Sequence, residues 1–215
     1  NEIIAEQWVR NIVPFRKFLP IAAQMNAKIL NLNGIARDIG VDWSTVSNYF
    51  DILEDTLLGL KLEAFHASVR KRQRQAPKFY FFDMGVCRAF QGALHAPPVP
   101  GTSAYGEAFE HLVVLEVHRL NSMLKKDYQM SYLRTQSGAE IDLILERKGS
   151  PTILIEIKSK EQVEEADAKA MLGLAPDFKS KKMFILSNDR QEKVFSGVQA
   201  CFWQSGLAYI FDQHS

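Results

Sequence analysis

Only two of the 215 residues are cysteines, Cys87 and Cys201. They are far apart and lack metal-ligand spacing, which excludes a disulfide scaffold and a zinc ribbon and fits a reducing, cytoplasmic setting. Neither sign of charge is in excess, since 26 Lys and Arg against 25 Asp and Glu leave a formal net charge of +1. Any affinity for nucleic acid must therefore come from a local patch. No apolar run reaches membrane-spanning length and no signal peptide is visible, so no membrane partner is expected. Internal repeats, low-complexity tracts and a Gly-x-x-x-x-Gly-Lys-Ser/Thr phosphate loop are also lacking. What is there is 47% hydrophobic and 24% charged, long enough for two modest domains.

The charges are unevenly placed. Residues 1–60 hold five Lys or Arg against seven Asp or Glu, whereas residues 61–80 hold six against Glu63 alone. Arg70, Lys71, Arg72, Arg74 and Lys78 make a compact basic run. A second feature is the Ala-Pro-Pro-Val-Pro-Gly-Thr-Ser stretch, which breaks every periodic pattern. It predicts a linker over 92–104 between domains at 1–91 and 105–215.

The first domain reads as helices followed by a hairpin. Ile3, Ile4, Trp8 and Ile12 recur at helical spacing, with Pro14 ending or kinking that element. Phe15, Phe18, Leu19 and Ala22 mark a second helix, kinked or stepped at Pro20. Small Ala36 four residues before Gly40, then Asp42 as a natural N-cap, predict a helix-turn-helix. Val46, Tyr49, Phe50, Leu53 and Leu57 form the buried stripe of its second helix. Residues 58–65 and 78–82 read as strands with the basic run between them, which makes the unit a winged helix with a cationic wing. Flexible cations beside phosphates release counterions and bind without sequence preference. Arg70, Lys71, Arg72, Arg74 and Lys78 are thus the nucleic-acid-binding candidates, and DNA is the expected partner. Base-specific readout is not expected, because Ser44, Ser47, Asn48, Asp51, Glu54 and Asp55 give the second helix no arginine for guanine.

The second domain opens with a helix over 105–120. Phe109, Leu112, Val113 and Leu120 form its apolar stripe, Glu110 flanks it and Glu116 falls inside it. Strands follow at 130–135 and in two signature runs, then a helix near 163–174, a strand at 182–186 and a last short strand within 201–211. The signature runs are Gly138-Ala139-Glu140-Ile141-Asp142-Leu143-Ile144-Leu145 and Ile153-Leu154-Ile155-Glu156-Ile157-Lys158, joined through a polar turn. Burying a carboxylate in such strands is costly unless a cation answers it. Alternation places Glu156 and Lys158 on one face of their strand, with Asp142 on the neighbouring strand. Two carboxylates and an ammonium at a sheet edge can hold Mg²⁺ and activate water for phosphodiester cleavage. The alternative is a surface hairpin whose acids pair with Lys and Arg. His111 and His118 stand as metal ligands or as exposed or paired histidines.

At these residues the chain resembles the PD-(D/E)XK nuclease superfamily, and the order helix, three strands, helix, strand matches the core of that group. The whole order is more specific. A winged helix, Pro77-Lys78-Phe79-Tyr80-Phe81-Phe82-Asp83-Met84-Gly85, then Gly106-x-x-x-Glu110, Glu140-Ile141-Asp142 and Glu156-Ile157-Lys158 resembles the C-terminal domain of unknown function of prokaryotic AAA-type ATP-binding proteins. The resemblance implies an α/β fold overall, with a winged-helix unit and a nuclease-like domain built on a central mixed sheet. It implies a site of Glu110, Asp142, Glu156 and Lys158, with Glu116 on a recurrent acidic position as the alternative to Glu110. It also implies a phosphate-loop ATPase domain ahead of Asn1, with ATP bound only there, and is compatible with a homo-oligomer.

Two functions from different classes follow. One is a Mg²⁺-dependent DNA endonuclease in which Asp142, Glu156 and Glu110 ligate the metal while Lys158 orients or deprotonates water and stabilises the phosphate charge. The other is a module that recognises DNA or a partner for the ATPase without cleavage.

Overall fold

Residues 12–66 and 75–212 are described by the structure, a computed structural model. They form a mixed α/β fold in two units. The first holds the described residues up to Leu62 and Ala76–Pro97, and the second holds 63–66, Gln75 and 98–212. The division at Pro97 falls inside the expected 92–104 linker.

In the first unit, α1 (Ile12–Gln24), α2 (Leu32–Ile39) and α3 (Trp43–Asp55) are bounded by local hydrogen bonds. Asn31 caps α2 by accepting from the Gly34 N–H at 3.0 Å, and Gly40 ends it with a left-handed φ of 73°. Asp42 caps α3 by accepting from the Thr45 N–H at 2.8 Å, as its position in the sequence predicts. Hydrogen bonds from Ser44 and Thr45 hold that carboxyl down to a pKa of about 2. Two strands follow, β1 (Gly59–Ala64) and β2 (Lys78–Phe81), paired antiparallel from Gly59 with Phe81 to Leu62 with Lys78. The chain after α1 also joins β2, since the Ala27 N–H donates to the Phe79 carbonyl at 2.8 Å and Asn26 Oδ1 accepts from the Phe81 N–H at 3.0 Å. Helix α4 (Met84–Phe90) closes the unit. Phe15, Phe18, Ile35, Val46, Phe50, Leu53, Phe79 and Phe81 belong to one core.

Two expectations for this unit need correcting. Pro20 does not step the helix, which runs continuously from Ile12 to Gln24, while the element that Pro14 is expected to end or kink lies mostly outside the described residues. Pro20 and Arg16 lie on its exposed side, so the carbonyl that loses a donor there is not buried, while Phe18, Ala22 and Ala23 pack inward. Leu57 is not in the buried stripe; it turns left-handed at φ 57° and is 75% exposed, while Ile52 is buried instead. The expected helix ahead of Ile12 and the run Arg70, Lys71, Arg72 and Arg74 lie outside the described residues.

The second unit begins with α5 (Ser103–Met123), capped by Thr102. Then come β3 (Gln129–Arg134), β4 (Glu140–Glu146), β5 (Thr152–Lys158), a 3-10 turn (Glu165–Ala168) and α6 (Lys169–Leu174). Next are β6 (Lys181–Ser187), β7 (Lys193–Phe195), β8 (Val198–Phe202) and α7 (Trp203–Phe211). Strands β3, β4 and β5 run antiparallel to one another, β5, β6 and β8 run parallel, and β7 is antiparallel to β8. Glu63 and Ala64, the end of β1, pair parallel with Ser131 and Tyr132 of β3. That long-range pairing is why residues 63–64 go with the second unit. Both faces of the central strands are covered, which suits their near-continuous apolar runs.

Two elements of this unit differ from the sequence expectation. The helix near 163–174 is a 3-10 turn followed by a short α6. Residues 201–211 are not a short strand: the last strand is Val198–Phe202, preceded by β7, and Trp203–Phe211 is helical. Buried Gly206, Leu207, Ile210 and Phe211 recur at helical spacing in α7 and face the sheet. Among the described residues, no helix is long and apolar enough to cross a membrane.

Candidate active site

The antiparallel ladder between β4 and β5 pairs Leu145 with Ile153, Ile144 with Leu154 and Leu143 with Ile155. One step further the same register would oppose Asp142 and Glu156, and there a side chain takes over from the backbone. The Ile157 N–H donates to Asp142 Oδ2 at 2.7 Å. On the other edge of β5 the parallel ladder continues without interruption, through Glu156 opposite Ile185 to Lys158 opposite Ser187. So β5 is fixed on one side by β6 and on the other by the Asp142 carboxylate.

Glu156 is 5% exposed. Its Oε1 accepts from Lys158 Nζ at 2.5 Å, whereas its buried Oε2 has no hydrogen-bond partner. Burial pushes the Glu156 pKa up, Lys158 opposes that push, and the Glu140 and Glu110 carboxylates add to it. Burial alone would lower the Lys158 pKa, but Glu156, then Asp142 and Asp167, outweigh it and raise it. Lys158 is therefore an ammonium at neutral pH. Five carboxylates and one ammonium interact here: Glu110 from α5, Glu140 and Asp142 from β4, Asp167 from the 3-10 turn, and Glu156 with Lys158 on β5.

The predicted residues divide accordingly. Asp142, Glu156 and Lys158 stand together, and it is Glu110, not Glu116, that acts on Glu156. Glu116 instead pairs with Arg119 at 2.6 Å on its own helix. Lys78 is corrected most firmly: at 4% exposed in β2 it is not a surface cation of a wing. His111 is 2% exposed in α5, and His118 is half-buried, with a pKa lowered by burial and by Arg119. Glu140 is a further participant: it opens the Glu140-Ile141-Asp142 motif without being given a role in the site, and two residues before Asp142 on the same strand it shares that residue's face.

A buried carboxylate oxygen without a hydrogen bond, beside further carboxylates, is the ligand type that Mg²⁺ takes. Among the described residues, no three His, Cys, Asp or Glu side chains already stand close enough to form a metal-ligating group.

Comparison with known proteins adds names without functions. Residues 2–95 match the model of a domain of unknown function (DUF8612), and residues 105–204 match that of another domain of unknown function (DUF4143). Two uncharacterised mycobacterial proteins, Rv2008c of Mycobacterium tuberculosis and Mb2031c of Mycobacterium bovis, are each 30% identical over 141 residues. The match covers 63% of this chain and 30% of each relative, so the chain spans about a third or less of their length. No solved structure matches the chain at a significant level. The similarity is thus to two domains of unknown function in succession, with their boundary between residues 95 and 105.

Proposed function

We propose that the second unit is a divalent-metal-dependent endodeoxyribonuclease module of the PD-(D/E)XK type and that the first is a winged helix that binds DNA. The observation that carries the reading is Glu156, whose buried carboxylate shares one oxygen with Lys158 and keeps the other without a hydrogen bond. A bare buried oxygen of this kind costs free energy in a purely structural role and is accounted for by a cation that it receives. Asp142, Glu156 and Glu110 are the residues that would hold Mg²⁺. The ion supplies Lewis acidity and charge neutralisation for phosphodiester hydrolysis.

Lys158 Nζ, held at 2.5 Å by Glu156, is the group that would orient the attacking water and stabilise the charge building on the phosphate. Asp142 also fixes the backbone between Glu156 and Lys158 through the Ile157 N–H. In the first unit, the order helix, short β-bridge at Asn26–Ile29, helix, helix and hairpin supports the winged-helix reading. On this reading the chain is the C-terminal module of an AAA-type ATP-binding protein, with ATP bound in a domain ahead of Asn1.

The test is incubation of the chain with plasmid and linear DNA in Mg²⁺, Mn²⁺ or chelator. Asp142→Asn or Glu156→Gln should abolish divalent-dependent cleavage with the fold intact, and Lys158→Ala should lower turnover more than metal affinity. The Glu156–Lys158 ion pair, which already neutralises the carboxylate, favours a second reading as a DNA- or protein-recognition module. DNA binding without cleavage in either metal would establish that one.

A further inference from the structure

Beyond the carboxyl ends of β5, β6 and β8 lies a pocket of about 890 Å³. It adjoins the candidate site through the backbone: Asn188 follows β6, and its side-chain amide donates to the Ser159 carbonyl at 3.2 Å, one residue past Lys158. Its aromatic walls are Tyr105 and Phe202, and the Arg190 guanidinium lies over the Phe202 ring at 4.7 Å from the centroid. Side-chain amides are supplied by Gln162, Asn188 and Gln191.

The charges in this pocket do not suit a phosphate. Glu161, Glu164 and Asp189 face only Arg190 and Lys193, and Lys193 is already bound to Asp189 at 2.7 Å and to the Val163 carbonyl at 3.0 Å. What remains is a flat aromatic surface, a stacked guanidinium, neutral amides and the Glu161 carboxylate, since both Asp189 oxygens already accept from Val163, Gln191 and Lys193 and Glu164 caps the 3-10 turn. That is the chemistry of a nucleobase: planar, uncharged and edged with donors and acceptors. A base reaches such a pocket only when it is unstacked from a helix.

We propose that this pocket takes an unpaired nucleobase, so that the substrate of the neighbouring site is a single strand or a frayed end. The inference rests on the nuclease reading and names the form of its substrate. The base stacks on the Arg190–Phe202 pair, and its backbone runs toward Lys158.

The experiment uses the whole chain with single-stranded oligonucleotides, as DNA and as RNA, carrying 2-aminopurine or an abasic site, and with the blunt duplex of the same sequence. Binding is followed by anisotropy and by 2-aminopurine fluorescence. An intact strand should bind about tenfold more tightly than an abasic one, as expected for one stacked base. Phe202→Leu and Arg190→Lys should each erase that difference and leave duplex affinity unchanged. Arg190→Lys keeps the charge and removes the planar stack, and its exposed position keeps the test valid if the Phe202 variant unfolds. A base-dependent loss with either the DNA or the RNA strand supports the proposal and names the sugar. Equal binding of intact and abasic strands, or variants that keep the difference, would overturn it. Cleavage in Mg²⁺ is read separately: cleavage without base dependence keeps the nuclease and ends the pocket proposal, and base dependence without cleavage does the reverse.

Discussion

Glu156 and Lys158 are two residues apart on β5, so the pleat sends both side chains to the same face and their ion pair forms within one strand. Burial decides how that pair responds to mutation. Glu156 has 7% of its side chain exposed and Lys158 has 31%, so removing the lysine leaves a desolvated carboxylate with no cation. Lys158→Met is expected to cost about 2 kcal/mol, below the usual figure for a broken buried pair because the lysine is partly solvated. The double variant Lys158→Met/Glu156→Gln should recover most of that loss; urea unfolding of the two variants checks the order. The acidic and basic members were legible in the sequence because a charge inside an apolar strand must be answered by an opposite charge or an ion. Glu140 was as legible as Asp142 by the same alternation. Lys78 was not: a lysine at a strand end beside a basic run looks exposed, and only the packing of Phe79, Tyr80 and Phe81 takes it inside.

Among the elements, α7 was the least legible. Residues 201–211 are rich in aromatic side chains, whose propensity favours a strand, yet their buried positions recur at helical spacing. Gly206 lets that helix lie flush on the sheet. A Cβ there would run into the Leu186 side chain and approach Cys201 Sγ at 2.8 Å. Gly206→Ala should destabilise the chain by about 2 kcal/mol through overpacking. The opposite outcome is expected at Gly173 in α6, where a Cβ meets nothing within 4 Å and φ is not positive. Gly173→Ala should stabilise by about 0.5 kcal/mol. Thermal melts of the two variants should therefore move in opposite directions. The helix caps, by contrast, were legible: Asp42 two residues past Gly40 can hardly serve another purpose.

At the scale of the whole molecule, a net charge of +1 makes the placement of cations the deciding quantity. Replacing Arg70, Lys71, Arg72 and Arg74 by Ala should weaken binding about equally for unrelated duplexes. It should also reduce the salt slope by about 0.9 for each phosphate that is no longer neutralised. Lys78→Ala should instead lower the unfolding midpoint and leave the slope unchanged, because that side chain is buried. Titrations at several salt concentrations separate the two. Three prolines and two glycines break every period between residues 92 and 104, and Pro97, where the two units divide, lies in that stretch. The assignment of residues 63–64 was not legible, since it depends on a pairing with residues 131–132 that no local pattern encodes.

The bond from the Ile157 amide to Asp142 has a spectroscopic consequence. An amide proton held by a carboxylate resonates well downfield, and its shift follows the charge on that acceptor. Titrating a divalent ion into isotope-labelled chain should move the Ile157 cross-peak early, along with its two neighbours in β5. Leu154, paired in register with Ile144 on one side and Met183 on the other, serves as the internal reference. Occupancy of the carboxylates can thus be followed with no substrate present, so ligation is measured apart from turnover.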